Sequence, residues 1–294
     1  MLTSSNVPLP ATGDSPDPAL WLVGTTYAVG NRVHIAGTTN KIYESIQATN
    51  LGKDPTDAAN ILWWVEVGAV NRWRMFDSSN TSQTTGVGGL DVSLTLAQVY
   101  NSLALLNVSG ASSIRVRQTD AVDGVVSDQT IAMQAPPSSA EWYNYFFDTI
   151  TNKTSANFDL KTYGSAVLRI EIIGAGVVGC GVAVTGRKRA IGLGVEMGAR
   201  VGIQDYSRKE RNAFGDMEVT ERAYSKRADF SMLLNASEVD SLIDFLAYMR
   251  ATPSVWVGSS KYGSTTIYGF YKSFDITLQY ADYAACTLSL EGLI

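Results

Sequence analysis

Ala166-Val167-Leu168-Arg169-Ile170-Glu171-Ile172-Ile173-Gly174-Ala175-Gly176-Val177-Val178-Gly179-Cys180-Gly181-Val182-Ala183-Val184-Thr185-Gly186 admits two readings, and the choice between them sets the fold class. Residues 166–172 alternate with period two, the pattern of a strand with one buried and one solvated face. Gly174 to Gly179 then spell the G-x-G-x-x-G of dinucleotide-binding turns. Glu196 lies about twenty residues further on, where a ribose-binding acid is wanted. That chemistry needs a helix after the glycines, so that its N-terminus faces the pyrophosphate. The continuation from Cys180 to Gly186 instead holds two further glycines and β-branched residues, which favour a strand. The stretch predicts a glycine-rich strand, no cofactor and a mainly β protein.

The surrounding sequence agrees. Val92 to Leu96 and Ile114 to Gln118 alternate in the same way, and Glu141 to Phe147 reads as an aromatic core strand. Gly86-Val87-Gly88-Gly89, Asp123-Gly124 and Pro136-Pro137 are turn signals between such runs. Short strands at this spacing predict an antiparallel β-sandwich or jelly roll over residues 69–190.

Residues 191–294 read as an α+β domain, one helix on a small antiparallel sheet. Ser237-Glu238-Val239-Asp240 has a cap residue with an acid three positions on, a capping-box arrangement. Val239, Leu242, Ile243 and Leu246 follow at helical spacing as one apolar stripe, and Pro253 marks the end. Strands are expected at 228–234, 254–257, 265–271, 273–279 and 285–290.

Composition narrows the function. Of the 294 residues 45% are hydrophobic, enough for a sizeable core, and 17% are charged. Average domains carry roughly 25% charge, so much of this surface is expected to be covered by neighbouring subunits. The net charge of -5 and pI near 5.0 speak against non-specific nucleic-acid binding. No run approaches the ~20 apolar residues of a membrane-spanning helix, and no export signal pattern opens the chain. Cys180 and Cys286 are read as reduced core residues. Pro8, Pro10, Pro16 and Pro18 make residues 1–20 a flexible arm or linker.

Catalytic candidates are few. His34 is the sole imidazole, set among Val33, Ile35 and Ala36 with no evident nucleophile or orienting acid, and reads as a half-exposed strand residue. One His and two distant Cys make no zinc site. Asp240 and Asp244 share a helix face, but Asp240 suits the positive end of the helix dipole. Arg187, Lys188, Arg189, Arg200, Arg208, Lys209, Arg211, Arg222, Lys226 and Arg227 are ten of the 23 cations. Glu196, Asp205, Glu210, Asp216, Glu218 and Glu221 fall among them, so the region reads as salt-bridged loops contacting neighbouring subunits. The expectation is no catalytic, cofactor or metal residue and no enzyme.

Residues 21–68 concentrate aromatics: Trp21, Tyr27, Tyr43 and Trp63-Trp64, framed by Gly30, Val33, Ala48, Gly52 and Pro55. Arg32 to Ala36 and Lys41 to Ile46 flank Gly37-Thr38-Thr39-Asn40 as a hairpin. The frame resembles the small chitin-binding modules of carbohydrate-binding families 5 and 12. That resemblance implies stacking of flat aromatics on sugar faces. Where those modules carry an aromatic pair, this chain has Ala48-Thr49-Asn50-Leu51, so Tyr27, Trp63 and Trp64 become the candidates. Trp21, Tyr43 and Trp64 are expected in a mini-core, with one of Trp63 and Trp64 pointing outward.

The end of the chain, Tyr268 to Tyr280 and Cys286 to Ile294, is similar to bacteriophage distal-tail and tail-tube proteins, which close on such a strand pair after a helix. Arg74 to Thr84 resembles the opening of a β-sandwich that recurs among them. The resemblance implies a structural component of a phage tail tip or baseplate, assembled in the bacterial cytoplasm and resident in the virion. Residues 191–294 would form a threefold or sixfold ring with paired sheet edges, and the outer β modules would hold fibres or touch the cell. Implied partners are other copies, tube, hub and fibre proteins, and a host surface glycan, without nucleic acid or membrane insertion. Two other readings are open: a glycan-binding receptor protein, and a polysaccharide hydrolase with a binding module.

Overall fold

The structure, a computed structural model, describes residues 17–35, 40–96, 98–134, 152–212, 214–259, 262–278 and 280–293. The protein is mainly β with one helix packed on a sheet near the C-terminus, and it divides into two compact units, Met1–Arg187 and Lys188–Ile294. The expected turns at Gly37–Thr39 and Pro136-Pro137, the expected aromatic strand at 141–147 and most of the N-terminal arm lie outside the described residues. Among the described residues no helix is long and apolar enough to cross a membrane.

The first unit opens with the small module. β1 (Thr26–Tyr27) pairs with β4 (Asn50–Leu51), and β2 (Arg32–His34), β3 (Lys41–Ser45) and β5 (Trp64–Ala69) form an antiparallel sheet in that order. Val33 faces Tyr43 and His34 faces Ile42, the register of the expected hairpin. Tyr27, Val33, Tyr43 and Trp64 are the buried core, with Trp21, Ile35 and Trp63 packed against it. So small a cluster stabilises weakly, at about 1.5–3 kcal/mol for each large side chain buried. A short 3-10 turn, Asn71–Phe76, begins one residue after β5. It drops Met75, fully buried, into the core of the sandwich. Asn71 fixes the turn by accepting the Thr85 N–H at 3.0 Å and donating to the Thr85 carbonyl at 2.9 Å.

The sandwich is built from β6 (Thr84–Thr95), β7 (Tyr100–Ser109), β8 (Ser113–Asp120), β9 (Gly124–Ala132), β10 (Ser155–Tyr163) and β11 (Val167–Gly186). All pairings are antiparallel, and the stretch that decided the fold class is the 20-residue β11. Its first part, 167–173, lies between β6 and β8. Residues 177–180 still pair with β6, and 179–186 take β7 in place of β8 on the other side. One strand thus passes from one sheet to the other, and the G-x-G-x-x-G glycines mark the crossing, where the β6 register shifts between Ile173 and Val177. A Cβ on Gly174 would lie 2.3 Å from the Gly110 carbonyl oxygen, and one on Gly110 only 2.2 Å from that of Val177. Gly86 to Gly89, expected as a turn, lies inside β6. Those glycines let β6 follow the same corner. The Asp123-Gly124 turn does join β8 to β9.

β10 is tied through side chains to β8, by Gln118, and to β9, by Gln129. Gln118 is fully buried, donates Nε2 to the Lys161 carbonyl and accepts the Lys161 N–H, both at 3.0 Å. Its amide does there what a peptide group does in a ladder. Gln129 Nε2 similarly donates to the Asp159 carbonyl, and Gln134 and Asn152 form a single bridge.

In the second unit β12 (Arg200–Asp205), β13 (Arg208–Arg211), β14 (Met217–Thr220), β15 (Tyr224–Asn235), β16 (Ser254–Val257), β17 (Thr266–Thr277) and β18 (Tyr283–Gly292) follow in sequence. Five form an antiparallel sheet ordered β12-β15-β18-β17-β16, and among the described residues β13 pairs only with β14. Segments 265–271 and 273–279, expected as two strands, are one strand interrupted by a register shift between Tyr271 and Ser273; Gln279 lies outside the described residues. The helix Val239–Met249 buries Val239, Leu242 and Leu246 against Phe230, Met232, Leu234 and Leu288. Two details differ from expectation. Ile243 is 40% exposed and Phe245 packs inward instead. Ser237 belongs to a 3-10 turn, Ala236–Glu238, so Glu238 occupies the cap with no side-chain bond and the capping box is not made.

Candidate functional site

The three aromatics singled out for sugar stacking have different environments. Trp64 is 4% exposed and Tyr27 8%, their rings edge to face at 5.3 Å between centroids. Trp64 Nε1 donates to the Lys53 carbonyl at 2.8 Å, and the Tyr27 hydroxyl accepts the Leu22 N–H at 2.8 Å. Both rings belong to the mini-core, which removes them as sugar platforms, since stacking needs a free ring face. Trp63, next in sequence, is half-buried and packs against the same mini-core. The Lys53 ammonium sits 5.5 Å from its ring centroid, a cation–π placement. One partly covered ring is what remains of the expected aromatic surface.

His34 is a half-buried strand residue, as expected. Its Nδ1 lies 2.5 Å from the Pro18 carbonyl oxygen, which can only accept, so that nitrogen carries the proton. Cys180 and Cys286 are free and buried, and burial pushes the Cys180 thiol up to about 12. Neither is a nucleophile at neutral pH. Among the described residues no group of three or more His, Cys, Asp or Glu is placed to hold a metal ion.

The region read as salt-bridged loops is in part strand. Arg200–Asp205 is the β12 edge of the main sheet, and Arg208–Arg211 with Met217–Thr220 forms a two-stranded hairpin. Two of the expected ion pairs are present, Lys209 with Asp205 at 2.7 Å and Arg208 with Glu210 at 2.5 Å. Lys209 and the Ser207 hydroxyl hold the Asp205 carboxyl far below its ordinary range. Every residue of β13 and β14 is exposed, including Met217 and Val219, and Phe214 in the turn is 91% exposed. The signal that would have found the hairpin is Met217-Glu218-Val219, which alternates, and Asn212 with Gly215-Asp216, which is turn chemistry. Asn212 Oδ1 indeed accepts the N–H groups of Phe214 and Asp216.

A second feature escaped the sequence because it spans four strands. On the outer face of the sandwich Asp91, Arg169, Glu171, Arg115, Arg117 and Asp128 form a row of alternating charge across β6, β11, β8 and β9. Arg169 Nε and Nη2 grip Asp91 with two bonds, and Arg115 grips Asp128 likewise. Arg115 lowers the Asp128 carboxyl below its usual range. Three cations meet three anions, so the row solvates a flat sheet face without giving it a net sign. Exposed pairs of this kind contribute ~0.2–1 kcal/mol each.

No known protein family matches the chain, and no curated protein is similar to it in sequence.

Proposed function

We propose that this protein is a structural subunit of a phage tail tip or baseplate whose second unit joins identical copies into a ring. The single observation that carries the reading is the β13–β14 hairpin. A two-stranded ribbon is marginal in water on its own, and more so when none of its residues is buried. This one bears Phe214, Met217 and Val219 in the open and, among the described residues, pairs with no third strand. Such a ribbon is stabilised when a neighbouring molecule covers it. The end strands of the five-stranded sheet, β12 and β16, likewise each have one unpaired edge. Identical copies arranged about an axis would complete those edges and cover the ribbon together. The resemblance of residues 268–294 to distal-tail and tail-tube proteins supplies the biological setting, and low charge content accords with subunit contacts.

On this reading the protein works by geometry and not by chemistry. The sandwich, with its neutral charged row, is a spacer, and the small module is a display element for fibres or the cell surface. A glycan-binding role for that module would rest on Trp63. The test is a variant in which Phe214, Met217 and Val219 all become Asp. Because those residues lie outside the core of the second unit, the variant is expected to keep its circular dichroism spectrum and to lose assembly in sedimentation. Assembly at the level of the unaltered chain would refute the role given to the ribbon.

A further inference from the structure

We infer that residues 17–21 form a latch that fixes the angle of the small module on the sandwich, with His34 and Asp17 as its two ends. This goes beyond the ring reading and does not depend on it. The segment runs beside β2, the edge strand of the module. His34 N–H donates to the Ala19 carbonyl at 3.1 Å, and Trp21 N–H to the His34 carbonyl at 2.9 Å. Leu20 stands opposite His34 in a parallel bridge, and His34 Nδ1 donates to the Pro18 carbonyl at 2.5 Å. The sole histidine thus holds the segment through both its backbone and its ring.

The other end grips the sandwich. Asp17 Oδ1 accepts the N–H of Asn71 at 2.9 Å across 54 positions of sequence. Asn71 opens the 3-10 turn that carries Met75 into the sandwich core, and Val70 before it provides no side-chain cap. Asp17 therefore supplies from a distance the carboxylate that the first N–H of this turn lacks locally.

The covalent connection explains why a second tie matters. Between Ala69, the end of β5, and Asn71 there is only Val70. Its N–H is bound to the Asn40 carbonyl in the module, and its own carbonyl accepts the Trp73 N–H in the turn. Val70 is itself buried, so the covalent joint is one packed residue, and the two torsions of that residue set the angle there. The bond from Arg74 Nε to the Ala69 carbonyl is long, at 3.4 Å. The latch adds a separate point of attachment, and two separate attachments define a direction. Ala19 and Leu20 are exposed, and of the segment only Trp21 packs against the module's buried core of Tyr27, Val33, Tyr43 and Trp64. Few, solvent-accessible bonds open before a core does. Released, the module turns about Val70 while remaining folded.

The test places spin labels at Leu62→Cys in the module and Val122→Cys in the sandwich, both highly exposed positions, with Cys180 and Cys286 buried away from the reagent. The full chain is expected to give one narrow distance distribution by pulsed electron paramagnetic resonance. Asp17→Ala is expected to lose that single peak, while slow exchange of the Trp64 indole proton reports an intact module. His34→Ala, cutting the ring's tie at the other end, is expected to act in the same direction. A distribution in Asp17→Ala as narrow as the parent's, or a parent that is already broad, would overturn the latch.

Discussion

Trp63 and Trp64 are adjacent in sequence and pack on one mini-core to different depths, which makes them the most direct probe of the small module. Trp64→Ala removes a buried ring and its bond to Lys53, and is expected to destabilise the module by about 3–5 kcal/mol. Trp63→Ala removes a half-buried ring and should cost well under half of that. Thermal melting followed by near-ultraviolet dichroism checks the order, and equal losses would mean that the core is wrongly assigned. Cys180 gives a pH prediction. Its folded value, about 12, stands above the ordinary 9.0, because burial disfavours the thiolate. Folding therefore keeps the thiol's full contribution below pH 9.0 and loses it progressively as pH rises from 9.0 toward 12. A Cys180→Ala variant, offset by its cavity, should show a flatter decline over that window in urea titrations at stepped pH. Much at this scale was legible in the sequence. Tyr43 and Trp64 read correctly as mini-core residues, whereas the outward-pointing neighbour did not follow, because Trp63 packs on the same core. Tyr27 was not legible as core, since burial of a hydroxyl-bearing ring depends on a partner, here the backbone of Leu22, that spacing does not reveal.

β11 shows what an element can encode beyond its type. Its glycines read correctly as strand and not as a dinucleotide turn, but the crossing between sheets needs the opposing strands to be seen. Gly110 and Gly176 separate the two ideas. Gly110 has φ +67°, and a Cβ there would strike the Val177 carbonyl oxygen, whereas a Cβ on Gly176 meets open space. Gly110→Ala is expected to destabilise the first unit by about 3 kcal/mol or more, and Gly176→Ala to change little. Denaturation followed by tryptophan fluorescence reports this unit, which holds five of the six tryptophans. A damaging Gly176→Ala would contradict the corner and revive a close approach by a ligand. Elsewhere strands with a buried face were legible because burial imposes the period: residues 114–118, 168–172 and 285–290 all lie in strands. β12, β13 and β14 were not read as strands, because their alternating runs are as short as Val201 to Ile203 and Met217 to Val219 and lie among charged residues. The helix was legible from its stripe, yet its start was not, since a 3-10 turn displaced the expected Ser237 cap.

For the whole molecule, a mainly β chain with an α+β end was legible from periodicity, and the division into two units falls after Arg187. Whether copies join could not be read from periodicity, because contacts between molecules leave no period in one chain. What the structure adds is the exposed ribbon and the two sheet edges, on which the proposed assembly rests. The most direct test of that account is the native mass of the full-length protein across a concentration series, with particles viewed by negative-stain electron microscopy. Closed rings of a fixed small number of copies, persisting on dilution, are predicted. A monomer at every concentration, with the β13–β14 hairpin protected from hydrogen exchange in that lone chain, would contradict it.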